Sequence, residues 1–288
     1  MKKTFTFILV LTLCMLGTSV KTFAEVVPAP AGRWTFDDVS NLLKCDEGSL
    51  TIQPAIIPGN KQVQEVATVA DANILTADGP LEDNKAILVP KASSLKVVRA
   101  SGAAATRNYS IMIDFKVESN AGYNSFYQTS ETNNNDGDFF LDKGGVGINA
   151  MGGYGGNIES NKWYRLIIVN EGDMLKGYVN AKNVISLTKD WATRWEIDPY
   201  GFYLFCDEDG EDNDIYVAEV AFWEQALSAE QIIAYGNIKT NEFLDIAGDG
   251  FAKLFNEDFF TITVNANSEI TFTCPDWIIP IDVTPFNG

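Results

Sequence analysis

The stretch Tyr109-Ser110-Ile111-Met112-Ile113-Asp114-Phe115-Lys116-Val117 alternates with a period of two, and this pattern, recurring along the chain, constrains the fold more than any other feature. Successive side chains of a strand point to opposite faces, so Tyr109, Ile111, Ile113, Phe115 and Val117 share one face while Ser110, Asp114 and Lys116 share the other. The expectation is one core face and one wet face. From Gly32 to about Phe205 further runs of this kind, among them "GRWTF", "KAILVP", "SLKVVRA", "NSFYQT", "DFFLDK", "WYRLIIVN", "LKGYVN" and "GFYLFC", are separated by Gly, Asn and Asp turns. That signature predicts an all-β sandwich. A hydrophobic content of 46% with 12% aromatics is ample for its core.

One helix is expected, near the end of this region. Ser228 caps it, Gln231 completes a capping box, Leu227 and Ile232 occupy the staple positions, and Gly236 offers a stop. Its apolar positions Ile232, Ile233 and Tyr235 are expected to dock on the sandwich edge.

Met1-Lys2-Lys3 followed by "TFTFILVLTLCMLGTSV" reads as a secretory signal over residues 1–24, with cleavage after Thr22-Phe23-Ala24. Leu13 is too bulky for the small residue that lipidation of Cys14 needs, so no lipid anchor is expected. The apolar run is too short to span a bilayer. Residues 25–237 then form the sandwich, 238–258 a linker, and 259–288 a partial β module too small for a core of its own.

Loss of the leader removes three lysines and no acid, which moves the formal charge from −18 to −21. Nucleic acid is excluded as a partner, because phosphate backbones need clustered Lys and Arg. The chain contains no His, which removes Ser-His-Asp, Cys-His and HExxH chemistry. Mature Cys45, Cys206 and Cys274 are odd in number and widely spaced, and Cys206 reads as a small core side chain.

"FCDEDGEDND" crowds six carboxylates into ten residues. An EF-hand is excluded, because the twelfth position counted from Asp207 is Ala218 and the flanks are strands. Two readings remain. One is a solvated turn, in which Gly210 takes a positive φ. The other is a two-loop calcium site drawing on Asp207, Asp209 and Asp212 together with Asp136 and Asp138 of "TNNNDGD", whose hard oxygens suit that ion.

Glu196-Ile197-Asp198 is the nearest approach to the alternating acids of jelly-roll glycosidases, but it runs into Pro199 and lacks the last Glu, so no catalytic residue is assigned. "GGVGINAMGGYGG" opens no helix and reads as tight loops between short strands. Loop aromatics remain as sugar-stacking candidates: Tyr123, Tyr127, Tyr154, Trp191 and Trp195, with Arg194 as polar partner, either contact a ligand or pack at the core edge. Trp34, Trp163 and Trp223 read as core residues on strands.

"WTFDDVSNLL", "YNSFYQTSETNNNDGDFFLDKGGVGINAMGGY", "NKWYRLIIVNEGDMLKGYVNAKNV" and "YLFCDEDGEDNDIYVAEVAFWEQALSAEQIIAYG" resemble a bacterial LamG-like domain of the concanavalin A-like jelly-roll superfamily. The resemblance covers roughly Gly32 to Asn237 and is sharpest at Lys162-Trp163-Tyr164-Arg165, Tyr178-Val179-Asn180 and "VAFWEQALSAEQI". It implies two stacked antiparallel sheets but no single function. Relatives of this kind act as carbohydrate-binding modules, adhesion modules or spacers, some attached to secreted enzymes. The tail "FTITVNANSEITFTCPDWIIP" resembles the opening of a BACON-type or immunoglobulin-like module. The resulting expectation is a non-catalytic, secreted or cell-surface module that binds a glycan or an extracellular protein surface, or spaces a catalytic domain of a longer chain. A carboxylate-dependent glycoside hydrolase is the enzymatic alternative.

Overall fold

The computed structural model describes residues 26–55, 75–129, 137–149, 152–188, 193–207, 210–238, 261–264 and 270–273. The expected leader and nearly all of the expected linker lie outside them. In chain order the strands are β1 (Gly32–Trp34), β2 (Glu47–Gly48), β3 (Thr51–Ala55), β4 (Leu75–Asp78), β5 (Lys85–Val89) and β6 (Ser94–Val98). Next come β7 (Asn108–Lys116), β8 (Asn124–Gln128), β9 (Asp138–Asp142), β10 (Gly145–Ile148), β11 (Gly153–Gly155) and β12 (Tyr164–Glu171). The sandwich closes with β13 (Met174–Val179), β14 (Lys182–Thr188), β15 (Phe202–Leu204), β16 (Ile215–Trp223) and helix α1 (Ala229–Tyr235). A separate antiparallel hairpin, β17 (Thr261–Val264) with β18 (Ile270–Thr273), belongs to a second unit of the chain.

Among the described residues the larger sheet of the sandwich holds nine strands in the order β14-β13-β12-β7-β16-β1-β2, with β5 also paired to β16 and β4 to β5. The smaller holds seven, in the order β11-β10-β9-β8-β15-β6-β3. Every pairing is antiparallel, and neighbours distant in sequence lie side by side, as β7 does with β16. This is an all-β jelly-roll-like sandwich. Its core forms where Ile111, Ile113, Phe115, Leu166, Ile168 and Phe222 of the larger sheet meet Phe126, Tyr127, Leu141, Phe202 and Leu204 of the smaller. The Phe115 and Phe126 rings meet edge to face at 4.8 Å, a preferred aromatic geometry.

Within the glycine-rich stretch, Gly145–Ile148 and Gly153–Gly155 form the short paired strands β10 and β11, as expected. Gly145 is required there, because a Cβ would stand 2.6 Å from that of Tyr154. Trp34 and Trp223 are core residues, whereas Trp163 precedes β12 and is half-buried beneath the Lys116 ammonium.

The face of β7 expected to be wet is not. Ser110, Met112 and Asp114 are buried, because a second apolar cluster roofs the outer face of the larger sheet. In it Met112, Ile167, Val169 and Trp223 pack with Leu227 and Ile232 around α1, and Val27 of the N-terminal segment joins them. Trp223 Nε1 anchors that segment by donating to the Pro28 carbonyl at 2.7 Å.

The capping box is present: Gln231 N donates to Ser228 Oγ at 3.2 Å, and Ser228 N to Gln231 Oε1 at 2.9 Å. Ile232 and Tyr235 dock as expected, but Ile233 points to solvent at 65% exposure, because a helix of this length buries a single stripe. Ser228→Ala should cost about 1 kcal/mol, seen as a fall in melting temperature of roughly 2–4 °C for a domain of this size. An unchanged melting curve would show that the cap is not what holds the helix end.

Candidate functional site

A cavity of about 500 Å³ opens on the outer face of the larger sheet. Asp114 of β7, Arg165 of β12, Glu219 of β16 and Arg33 of β1 form its floor, Pro28, Pro30 and Tyr235 its walls, and Asp37, Asn84 and Lys85 its rim. Sheet register builds that floor. Arg165 lies opposite Asp114 on one side and Glu219 opposite it on the other.

Glu219 arrives there through a bulge. The β16 register shifts between Val217 and Glu219, so Val217 and Val220 both enter the core while Glu219 turns outward. A single extra residue re-aims a side chain in this way.

Arg165 grips Asp114 bidentately, with Nε to Oδ1 at 2.8 Å and Nη2 to Oδ2 at 2.7 Å. Arg33 Nε donates to Glu219 Oε1 at 2.6 Å, and Arg165 Nη2 stands 3.6 Å from Glu219 Oε2. The Tyr235 hydroxyl donates to Glu219 Oε1 at 3.3 Å, and its ring lies 4.9 Å from the Arg165 guanidinium carbon, within cation–π range. Asn180, at φ 47°, accepts the Arg165 amide on Oδ1 and so fixes the start of β12. Burial pushes the Asp114 carboxyl up to about 6 against the opposing pull of Arg165. It also pushes the Tyr235 hydroxyl up to about 12. At the rim Asp37 Oδ1 accepts the Lys85 amide at 2.7 Å.

The residues singled out in the sequence lie elsewhere. Tyr154 is half-buried on β11 of the smaller sheet. The Arg194 guanidinium stands 3.7 Å from Asp138 and over the Trp195 ring. Trp195 itself is fully buried in the core, where its ring fills the space a Cβ on Gly137 would need, so it offers no face to a ligand. Trp191, Asp136 and Asp209 lie outside the described residues.

Within the acid cluster Gly210 takes φ 78° and donates its N–H to the Asp207 carbonyl, as a turn requires. Of the described acids of the cluster, Asp207 and Asp212 are buried and Asp214 is exposed. Among the described residues no three acidic or cysteine side chains are grouped to hold a metal. Glu196 stands 3.7 Å from Arg107, and the Asp198 carbonyl accepts from Gly201 N in a surface turn.

The floor residues went unmarked in the sequence, although their signal was there: Asp114 is an acid on the second face of an alternating strand, and Arg165 ends the most distinctive short motif. Neither shows that it will face the other.

No family model matches the chain, and no curated protein matches it. Among solved structures it is similar to domain 4 of AbnA, a GH43 extracellular arabinanase from Geobacillus stearothermophilus, at 18% identity and TM-score 0.45 over 71% of this chain and 97% of that one. The binding domain of botulinum neurotoxin serotype G is similar at 8% identity and TM-score 0.48, over 72% and 50% of the two chains. The Trypanosoma rangeli sialidase matches at 12% identity and TM-score 0.42, over 57% of this chain but 28% of its own. Among the described residues no helix is long and apolar enough to cross a membrane.

Arg165→Met should destabilise the fold by about 3–5 kcal/mol, because it leaves the Asp114 carboxylate buried without its partner. Asp114→Leu combined with Arg165→Met should restore most of that loss, as measured by chemical denaturation. A double variant as weak as the single one would mean that the pair is not the unit of stability.

Proposed function

We propose that this chain is an exported, non-catalytic binding module of LamG-like type that takes an uncharged carbohydrate in the cavity over the larger sheet. The observation that carries this reading is the cavity itself. At about 500 Å³ it falls within the range of small-molecule sites, roughly 300–1,000 Å³. Its floor is a fixed array of donors and acceptors, and Tyr235 supplies an aromatic wall.

Sugar hydroxyls are both donors and acceptors, so a floor of paired Arg and carboxylate groups suits them. A polyanion would meet a chain of formal charge −18 and be repelled. Binding is favoured over hydrolysis because both carboxylates of the floor are already engaged, Asp114 by Arg165 and Glu219 by Arg33. A carboxylate-dependent glycosidase is the second reading, favoured by one observation: Asp114, raised to about 6, stands across the strands from Glu219. The hairpin β17–β18 is read as the opening of a BACON-type or related module, and the leader as the export signal.

A panel of uncharged oligosaccharides, followed by calorimetry on the ones retained, tests the assignment. Asn84→Ala and Tyr235→Phe should each weaken binding about tenfold, which is 1.4 kcal/mol, with melting temperatures near that of the parent. Retention of no glycan, or binding lost on Tyr154→Ala but not on these two substitutions, would overturn it. Turnover of chromogenic glycosides would select the hydrolase.

A further inference from the structure

The outer face of the larger sheet carries a second row of side chains beside the cavity floor. Lys116 lies two residues after Asp114 on β7, Tyr216 two before Ala218 on β16, and Trp163 two before Arg165 at the start of β12. Asp114, Ala218 and Arg165 all line the cavity. Residues two apart on a strand share a face and stand about 7 Å apart, so the row adjoins the floor on three strands at once. Register sets its order. Tyr216 pairs with Lys116, and the neighbouring pair of Tyr164 with Phe115 puts Trp163 on the other side of Lys116.

The two rings of this row are held in place. The Lys116 ammonium stands 5.2 Å from the centre of the Trp163 ring and 4.4 Å from that of Tyr216, within cation–π range of both. The Tyr216 hydroxyl donates to Glu118 Oε1 at 2.7 Å and so fixes that ring from its far end. Trp163, Lys116 and Tyr216 are each half-buried and keep surface in water, while core packing falls to their neighbours along the strands, Tyr164, Phe115 and Val217. Among the described residues Lys116 enters no ion pair, so its N–H groups are available to a ligand.

We propose that Trp163, Lys116 and Tyr216 form an outer subsite for the same neutral glycan, so that the ligand is a chain of several sugars that leaves the cavity over Ala218 and lies across this row. The inference rests on the carbohydrate reading of the cavity. An aromatic ring offers its face to the C–H side of a pyranose, and a lysine ammonium between two rings donates to hydroxyls at the edge of the sugar. Rings already held bind at lower cost than free ones, because little side-chain freedom is left to lose. The row continues across β5 and β4 with Leu88 and Leu75, the latter 55% exposed, which makes a second copy of the chain the competing occupant.

Calorimetry on the full chain with cello-, xylo- and manno-oligosaccharides, from the disaccharide to the hexasaccharide, tests the proposal. The expected result is a Kd that falls about tenfold or more between the shortest and longest members of a retained series. Trp163→Ala and Tyr216→Ser should each remove most of that gain, whereas Tyr216→Phe should keep most of it because it retains the ring; melting temperatures show that each variant is folded. Asn84→Ala should weaken short and long members alike. Affinity independent of length, or a gain that survives both Trp163→Ala and Tyr216→Ser, overturns the outer subsite and leaves the cavity reading standing. A gain lost on Trp163→Ala, with no member weakened by Asn84→Ala, upholds binding at the row and overturns the cavity reading. Dimers that form as concentration rises and are lost on Trp163→Ala, together with affinity independent of length, overturn the subsite in favour of a second copy. Retention of no series overturns both.

Discussion

Four charged side chains on four neighbouring strands, β12, β7, β16 and β1, meet on the outer face of the larger sheet, and none of them could be buried there alone. An isolated charge taken out of water costs several kcal/mol, so each must find its opposite within the row. Cross-strand register meets that demand for Arg165 and Asp114, and the bulge at Ala218 meets it for Glu219 and Arg33. Once the row is neutralised, α1 and the N-terminal segment can close over the apolar half of the same face. The cavity is what remains between that roof and the charged row.

Burial on both faces sets the larger sheet apart from an ordinary half-wet antiparallel sheet. Its inner side meets aromatic and β-branched residues of the smaller sheet. Its outer side is divided, apolar around Trp223 and Ile232 and polar around Arg165. Tyr235 joins the two halves. Its ring meets Trp223 edge to face at 5.5 Å and flanks the Arg165 guanidinium, while its hydroxyl reaches Glu219. A short helix therefore contributes both packing and one wall of the candidate site.

The sandwich class was legible because alternation is local: nine residues of β7 suffice to show which side chains share a face. The helix was legible for the same reason, since Ser228, Gln231 and Gly236 act within two turns. What alternation cannot supply is the chemistry on the far side of a strand. Ser110, Asp114 and Lys116 read as a solvent face, and only coverage by α1 and residues near Val27, far apart in sequence, makes Ser110 and Asp114 interior. The charged row was hidden by the same limit, because Arg165 and Asp114 are separated by 51 positions and Glu219 reaches the row only through a bulge that leaves no mark in the sequence. Trp195 failed as a ligand candidate for a related reason. Its turn-rich surroundings suggest a surface, but the neighbouring chain gives up a side chain at Gly137 to admit the ring.

The strand β16 is shared more widely than any other in the sandwich, lying against β7 along one edge and against both β1 and β5 along the other. Each of its backbone amides bonds to one of these neighbours, and every neighbour carries core residues, Trp34, Ile87 and Phe115 among them, so none peels away without opening the core. In native-state hydrogen exchange the β16 amides would open only with the global transition, while those of the outlying β2, β4 and β14 would exchange through local fraying. The residue that carries Glu219 is thus fixed in the slowest-opening part of the molecule, so the floor of the cavity would keep its shape through the fluctuations that loosen its rim.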